Sequence, residues 1–413
     1  MRCDLRAAAA ARAGCAAVET PRGAADNEAM KYSFRFRRAL SLAVLLPVVA
    51  GGAACSQRSA RTPAWEPMAL GTDAEIEDVC FSDSLNGWIV GGGWQIEGGL
   101  VGRTRDGGRT WTYTSGLATK EPGVFRFGIE AVQFFDSTRG IVASDGGKIF
   151  VTDDGGANWR LTRYGRSSAD HIFDLDFVDR WNGWAVGLGG VLRTTDGGEN
   201  WTDVSRIGAP GSKVSGHAIH FIDRNAGWLV GQFGSLMRTS DGGESWEAVP
   251  TPLGPSERPY LFDLCFPDPK HGWVVGDEGT ILHTADGGFR WVRQETGLRD
   301  AKSAPKLEYL RRGPEVDTLD LGERTSGLFL TAVRFIDERH GWAVGHYPNM
   351  GRSVVLRTED GGAHWKVDAE VAGEELRALF MLDADHGWTV GDRTREGTQV
   401  ILRRAGATGS GSS

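Results

Sequence analysis

The 413-residue sequence is poor in cysteine, with five, and in tyrosine, with six. Its one long apolar run, the twelve residues Ala39–Ala50, is too short to cross a bilayer as a helix. It has no phosphate-cradling Gly-rich loop, no Gly-x-Ser-x-Gly and no His/Cys set at zinc spacing. No cofactor and no metal are expected. Positive charge is scarce beyond the N-terminus. Residues 1–54 hold eight Lys/Arg and four Asp/Glu, which leaves 38 basic and 50 acidic residues in the remainder, net −12. Such a balance argues against nucleic acid or an anionic membrane surface as the main partner.

What the chain has in quantity is glycine (59) and tryptophan (15). Asp-Gly-Gly-x-x-Trp occurs six times, at Asp106–Trp111, Asp154–Trp159, Asp196–Trp201, Asp241–Trp246, Asp286–Trp291 and Asp360–Trp365. A second unit, Phe-x-Asp-x-x-x-x-Gly-Trp-x-Val-Gly, precedes each copy, and its Asp appears seven times, from Asp83 to Asp383. A period of about 45 residues filled with short strands is the mark of propeller blades. The fold expected is an all-β, seven-bladed propeller of four-stranded antiparallel blades. Within each blade, Asp bonds nearby amides and Gly supplies the positive φ of a tight hairpin. One such turn offers too few oxygens for calcium. The seventh unit lacks the Asp-Gly-Gly turn and its last strand. Trp65-Glu66-Pro67-Met68 matches Trp246-Glu247-Ala248-Val249, so the N-terminal segment is expected to supply that strand and close the ring.

The domain reading is an export signal over 1–54, a linker over 55–64, one propeller over 65–404 with an insertion at 296–327, and a tail over 405–413. Lys31, Arg35, Arg37 and Arg38 precede the apolar run, and Gly51–Ala54 lead into Cys55. The box resembles a bacterial lipoprotein cleavage site with Cys55 lipidated, although Gly52 stands where a large aliphatic is usual. Plain export with cleavage near Ala54 is the alternative. Cys80 and Cys265 share a repeat column in blades one and five, beyond a disulfide's reach of each other, and read as unpaired small residues on inner strands.

Val/Leu-x-Arg-Thr-x-Asp-Gly-Gly-x-x-Trp with Gly-Trp-x-Val-Gly upstream resembles the Asp-box propellers named from bacterial neuraminidases. It is most similar to the photosystem II stability/assembly factor family. Leu192–Trp201, Leu236–Trp246, Ile281–Trp291 and Leu356–Trp365 carry the likeness, which runs over about residues 65–404. The resemblance implies a non-catalytic scaffold or assembly propeller, exported to the periplasm or outer surface, acting on an envelope or membrane protein. A monomer is expected. A carbohydrate-binding propeller is the alternative. A sialidase-like hydrolase ranks below both, because the Arg-Ile-Pro motif of those enzymes is absent and no tyrosine sits in a nucleophile context.

Three sets of residues are candidates for function. The repeat arginines Arg103, Arg193, Arg238, Arg357 and Arg403 can hold carboxylates, or each can pair with an Asp of its own or the next blade. Gln133, Asp176, His220 and Arg334 occupy a strand-A column that is expected to line the central channel. The third set comes from departures in the repeat, since loops on a rigid scaffold carry function. Three long B–C loops and two long connections place Trp94, Arg126, Tyr309, Arg311, His346, Tyr347, Arg393 and Arg395 on one sector of one face. Trp, Tyr and Arg are the types enriched at interface hot spots.

Overall fold

Short apolar runs separated by Gly-rich turns build seven meanders rather than one continuous sheet. The computed structural model describes residues 64–92, 98–115, 117, 128–165, 170–205, 214–254, 256–296, 327–348, 351–372, 375–393 and 399–405. They form seven four-stranded antiparallel sheets, the seven-bladed propeller expected. Blade four is typical, with strand A at Ala218–Phe221, B at Gly227–Val230, C at Leu236–Thr239 and D at Glu247–Ala248. Ala64–Pro67 pairs with Gln399–Ala405, Trp65 lying opposite Arg404, so the N-terminal strand completes blade seven. The Trp65 indole and the Arg404 guanidinium both donate to Asp368 of blade six, at 2.8 and 2.6 Å.

The seams between blades are aromatic. Trp88, Trp184, Trp273 and Trp388 of strand B each lie flat on a strand-A Phe of the following blade, at 3.5 Å between ring centroids. Their indole N–H groups donate to Gly155, Gly242, Gly361 and Gly107, the first glycine of the next blade's Asp-Gly-Gly turn, at 2.8–3.1 Å. The Phe is pressed against the Gly that precedes its own blade's Trp. A Cβ on Gly183 would stand 2.3 Å from the Phe177 ring. Phe, Gly and Trp in the repeat are thus one packing unit across a seam.

The Asp-Gly-Gly turn is closed from within. Asp196 accepts the Thr194 hydroxyl at 2.8 Å, the Asn200 amide at 3.0 Å and the Asn200 side chain at 2.8 Å, while Gly197 and Gly198 take φ of +77° and +87°. The Asn158 amide and side chain hold Asp154 down to about 2, and the His364 ring and amide do the same for Asp360. A folded-state pKa below the ordinary value stabilises the fold above about pH 4. That contribution is lost as pH falls through the folded value. Melting temperatures measured from pH 5 to pH 2 should therefore drop most steeply below about pH 4. Asp154→Asn with Asp360→Asn should flatten that slope, and an unchanged slope would refute the assignment.

The register sets Arg103, Arg193, Arg238, Arg357 and Arg403 directly across from Trp88, Trp184, Trp228, Trp342 and Trp388. Arg103 donates to the carbonyls of Asp154 and Ser137 in the next blade, at 3.3 and 3.1 Å. Arg238 lies 3.9 Å over the Phe289 ring. Arg103 and Arg238 thus reach the next blade through its backbone and a ring, while Arg357 pairs with Glu359 of its own blade at 2.8 Å and Arg193 lies 3.9 Å from Glu244 of the next. The Asp column is occupied by its own turns, Asp83 accepting the Leu85 and Asn86 amides at 2.8 Å.

Cys265 is a buried free thiol. Cys80 is disulfide-bonded, which corrects the expectation that it is unpaired. Among the described residues no helix is long and apolar enough to cross a membrane.

Candidate functional site

The first residues of strand A do not pair regularly. Register shifts leave Glu77, Glu130, Phe173, Phe262, Thr331 and Arg377 without a partner on strand B. His217 takes the same place in blade four, its amide reaching Val230. Each is a β-bulge, and a bulge re-aims its side chain. The result is a ring of seven side chains, one per blade, around the mouth of the central channel. They enclose a cavity of about 420 Å³, with Phe329, His346 and Glu375 completing its wall. The glycine ending Gly-Trp-x-Val-Gly lies beside the bulge in six blades, and Ser144 stands there in blade two. A Cβ on Gly187 or Gly345 would meet the carbonyl oxygen of His171 or Phe329 at 1.7 or 2.0 Å.

The cavity opens on the face that carries the B–C turns and D–A connections. The two sets are bonded together, as in Gly234 N–H to Pro259 C=O at 2.7 Å and Leu261 N–H to Gly231 C=O at 3.0 Å. One arc of the mouth is charged. Arg377 donates to both oxygens of Glu77, and reaches Asp392 at 3.3 Å and Glu375 at 3.5 Å. Burial, reinforced by Glu130 and Glu375, outweighs the Arg377 charge and pushes Glu77 up to about 7. Burial alone would lower Arg377, but Glu77, Glu375 and Asp392 more than offset it. Burial also lowers His346 and His217, so both rings are neutral at pH 7.

The other arc is aromatic. The rings of His171, Phe173, His217 and Phe262 follow one another at 4.4, 5.2 and 5.8 Å. Tyr260 and then Phe233 continue the series outward, Phe233 lying 6.0 Å from Tyr260. Phe233 is 62% exposed and holds a left-handed φ of +59°. A strained, exposed aromatic ring beside a cavity is a feature of binding surfaces.

The column expected to line the channel does something else. Gln133, Asp176, His220 and Arg334 are at most 5% exposed. Asp176 accepts the Phe221 amide of the next blade at 2.5 Å, His220 meets the Phe266 carbonyl at 3.2 Å, and Gln133 the Phe177 carbonyl at 3.5 Å. Arg334 turns back to Asp263 at 2.7 Å. These regularly paired side chains are bonded within the core and to the next blade, Arg334 reaching the charges of Asp263, Asp78 and Asp174 around the axis, whereas the bulged ones line the cavity at the mouth. The lining residues lie three positions earlier in the sequence.

Of the loop-face candidates, Trp94, Arg126, Tyr309, Arg311 and Arg395 lie outside the described residues, as do the Arg393 side chain and Cys55. His346 and Tyr347 are not loop residues. Strand B of blade six runs to Tyr347, which pairs with Arg352. Tyr347 is 8% exposed beneath the Arg352 guanidinium, 4.7 Å from it. His346 lines the cavity and stacks with Phe329 at 5.5 Å. Asp268, His271 and Glu338 bring ligand-type atoms within 4.8 Å of one another. The His271 ring already bonds Asp268 at 2.8 Å, as His340 bonds Asp337 in the next blade, and this is turn geometry.

Comparison with known proteins follows the same lines. The photosystem II stability/assembly model described as Photosynthesis system II assembly factor YCF48 matches residues 57–167, 166–255 and 251–308. The Photosystem II assembly lipoprotein Ycf48 of Synechococcus sp. (strain CC9902) is 30% identical over 185 residues, 40% of this chain and 49% of that protein. The chain thus matches about half the length of that relative. YCF48 from Cyanidioschyzon merolae and a structure of YCF48 bound to D1 peptide are both 18% identical with a TM-score of 0.60. Each comparison covers 83% of this chain and 99% of the other. At that identity the likeness establishes the propeller fold. The family match spans more than half of the sequence, and the chain belongs to the photosystem II assembly factor family.

Proposed function

We propose that this propeller is a non-catalytic assembly factor that holds an extended segment of a membrane-protein partner on the channel-mouth face. The observation that carries the reading is the bulged ring. Seven blades each turn one side chain into a single cavity on the face that also bears exposed Phe233. A related propeller has been captured with a D1 peptide, which makes that class of partner the one to test first. Trp94, Arg126, Tyr309, Arg311, Arg393 and Arg395 extend this face in the proposal. Lipidation at Cys55 would keep it beside the membrane on the exported side, as the name of the Synechococcus relative suggests for that protein.

Calorimetric titration with a D1 peptide tests the reading. Wild type should bind, and Phe233→Ala with Phe262→Ala should weaken binding at least about tenfold, the loss expected when aromatic anchors are truncated. Both changes should leave cooperative melting intact. Equal binding by the variant would move the contact off this face. No binding by wild type would remove D1 as the partner.

A further inference from the structure

Among the described residues, the lining of the channel mouth carries more negative than positive charge. Glu77, Glu130 and Glu375 stand there against one permanent cation, Arg377. That cation is already engaged by Glu77, Glu375 and Asp392. Glu130 has as its ionic neighbour only the His171 ring, at 3.5 Å, among the described residues. His346 Nδ1 is buried without a hydrogen-bond partner, and a neutral ring can accept there. The rings of Phe173, Phe262 and Phe329 line the same cavity, Phe329 stacking on His346 at 5.5 Å. Carboxylates, a neutral imidazole and aromatic faces lining one cavity are matched by one ligand class. The cationic head of that ligand pairs with the acids and the rings, and its alkyl stem packs on the aromatics. An anion would meet three carboxylates, and a purely apolar group would leave them desolvated.

We infer that the channel mouth is a receptor for an alkylammonium or alkylguanidinium group, supplied by a lysine or arginine side chain of the partner segment. The inference rests on the assembly reading above for its source of the cation. A cavity of about 420 Å³ takes one basic side chain with its flanking backbone, and not a folded domain. The same face therefore reads an extended segment by one inserted basic residue, with the outer aromatics holding the chain on either side.

The test uses the full propeller and capped pentapeptides with a central lysine, arginine, norleucine or glutamate, together with free spermidine. Binding is followed by the ring-proton resonances of His217 and His346. The lysine and arginine peptides should bind at least about tenfold more tightly than the norleucine peptide, with no shift from the glutamate peptide. Glu130→Gln should cost several-fold in affinity for the basic peptides and leave the norleucine peptide unchanged. Binding a cation favours ionised Glu77, whose pKa lies at about 7, so affinity should rise from pH 6 to pH 8. Arg377, raised by its carboxylate neighbours, keeps its charge over that range; Glu130, Glu375 and His217 face the same cavity, and loss of any residual charge on His346 acts in the same direction.

Equal binding of the norleucine and lysine peptides overturns the inference, and so does preference for glutamate. Spermidine binding tenfold tighter than the lysine peptide also overturns it, by making the mouth a site for free amines. The chemical selectivity of wild type decides the matter even if the variant fails to fold. Should the D1 peptide fail to bind while the lysine peptide binds, the receptor stands and the choice of D1 falls.

Discussion

Asp263→Ala is expected to destabilise the propeller by about 3–5 kcal/mol, the loss found when one partner of a buried ion pair is removed. Asp263 is fully buried and Arg334 is 5% exposed. The carboxylate accepts the Leu264 amide, the Val333 amide of the next blade and the Arg334 guanidinium, at 2.8, 2.9 and 2.7 Å. Without it a guanidinium is left in the channel core and two amides lose an acceptor. The substitution itself is one the ring already makes. The same strand-A position reads Asp78, Ala131, Asp174, Ala218, Asp263, Ala332 and Ala378 around the blades. Asp78 and Asp174 likewise take a next-blade amide, from Val132 and Ile219, at 2.9 Å. Alanine is tolerated where nothing charged depends on the position. Replacing Arg334 as well, by the Phe that blade seven carries at Phe380, should recover most of the loss. Denaturant midpoints for the two single variants and the double give the coupling. A shift under about 1 kcal/mol for Asp263→Ala would mean that Arg334 is held by other groups.

Trp184→Ala should cost a similar amount, about 3–5 kcal/mol, as large aromatic deletions in a core do. Trp184 is fully buried, stacks on Phe221 at 3.5 Å and donates to the Gly242 carbonyl at 2.8 Å. Its removal opens a seam and orphans that carbonyl at once. Blade two shows how the seam can be built otherwise. It has Ile141 for the Trp and, directly opposite, Val151 for the Arg. Trp184→Ile with Arg193→Val is thus expected to be milder than Trp184→Ala, and milder than Trp184→Ile alone, where Arg193 would sit over a seam with no indole. If the double variant is no better than Trp184→Ile, the Trp and Arg of the repeat are independent.

The features legible in the sequence are those with a local cause. The blade count follows from turns whose Asp and Gly residues act within a few positions. The closing strand followed from Trp65-Glu66 reading like Trp246-Glu247, and the structure pairs Trp65 with Arg404. The lining of the channel was not legible by alternation. A bulge adds one residue to strand A and re-aims its side chain, so the cavity at the mouth is lined by residues three places before Gln133, Asp176, His220 and Arg334. A signal was available in the last glycine of Gly-Trp-x-Val-Gly, present in every blade but the second, where Ser144 replaces it, and pressed against a carbonyl at the start of strand A in blades such as three and six. The joint change of Trp and Arg to Ile141 and Val151 likewise announced a cross-strand pair. His346 and Tyr347 read as loop because Pro348 and Asn349 follow them, yet strand pairing continues to the tip of that hairpin.

Ring closure by the first strand sets the order in which the molecule can be finished. Ala64–Pro67 precedes every other strand of the propeller in the chain, and its partner, Gln399–Ala405, follows all of them. Until the two pair, Trp65 has no Arg404 beside it and the last blade has no outer edge. Six blades can stack as they are synthesised, but the circle stays an open arc with two exposed strand edges. Latching is a contact between the first and last strands of the propeller, so its loop-closure cost falls on the final step of ring closure. A chain cut just short of residue 399 would hold an almost complete arc that cannot lock.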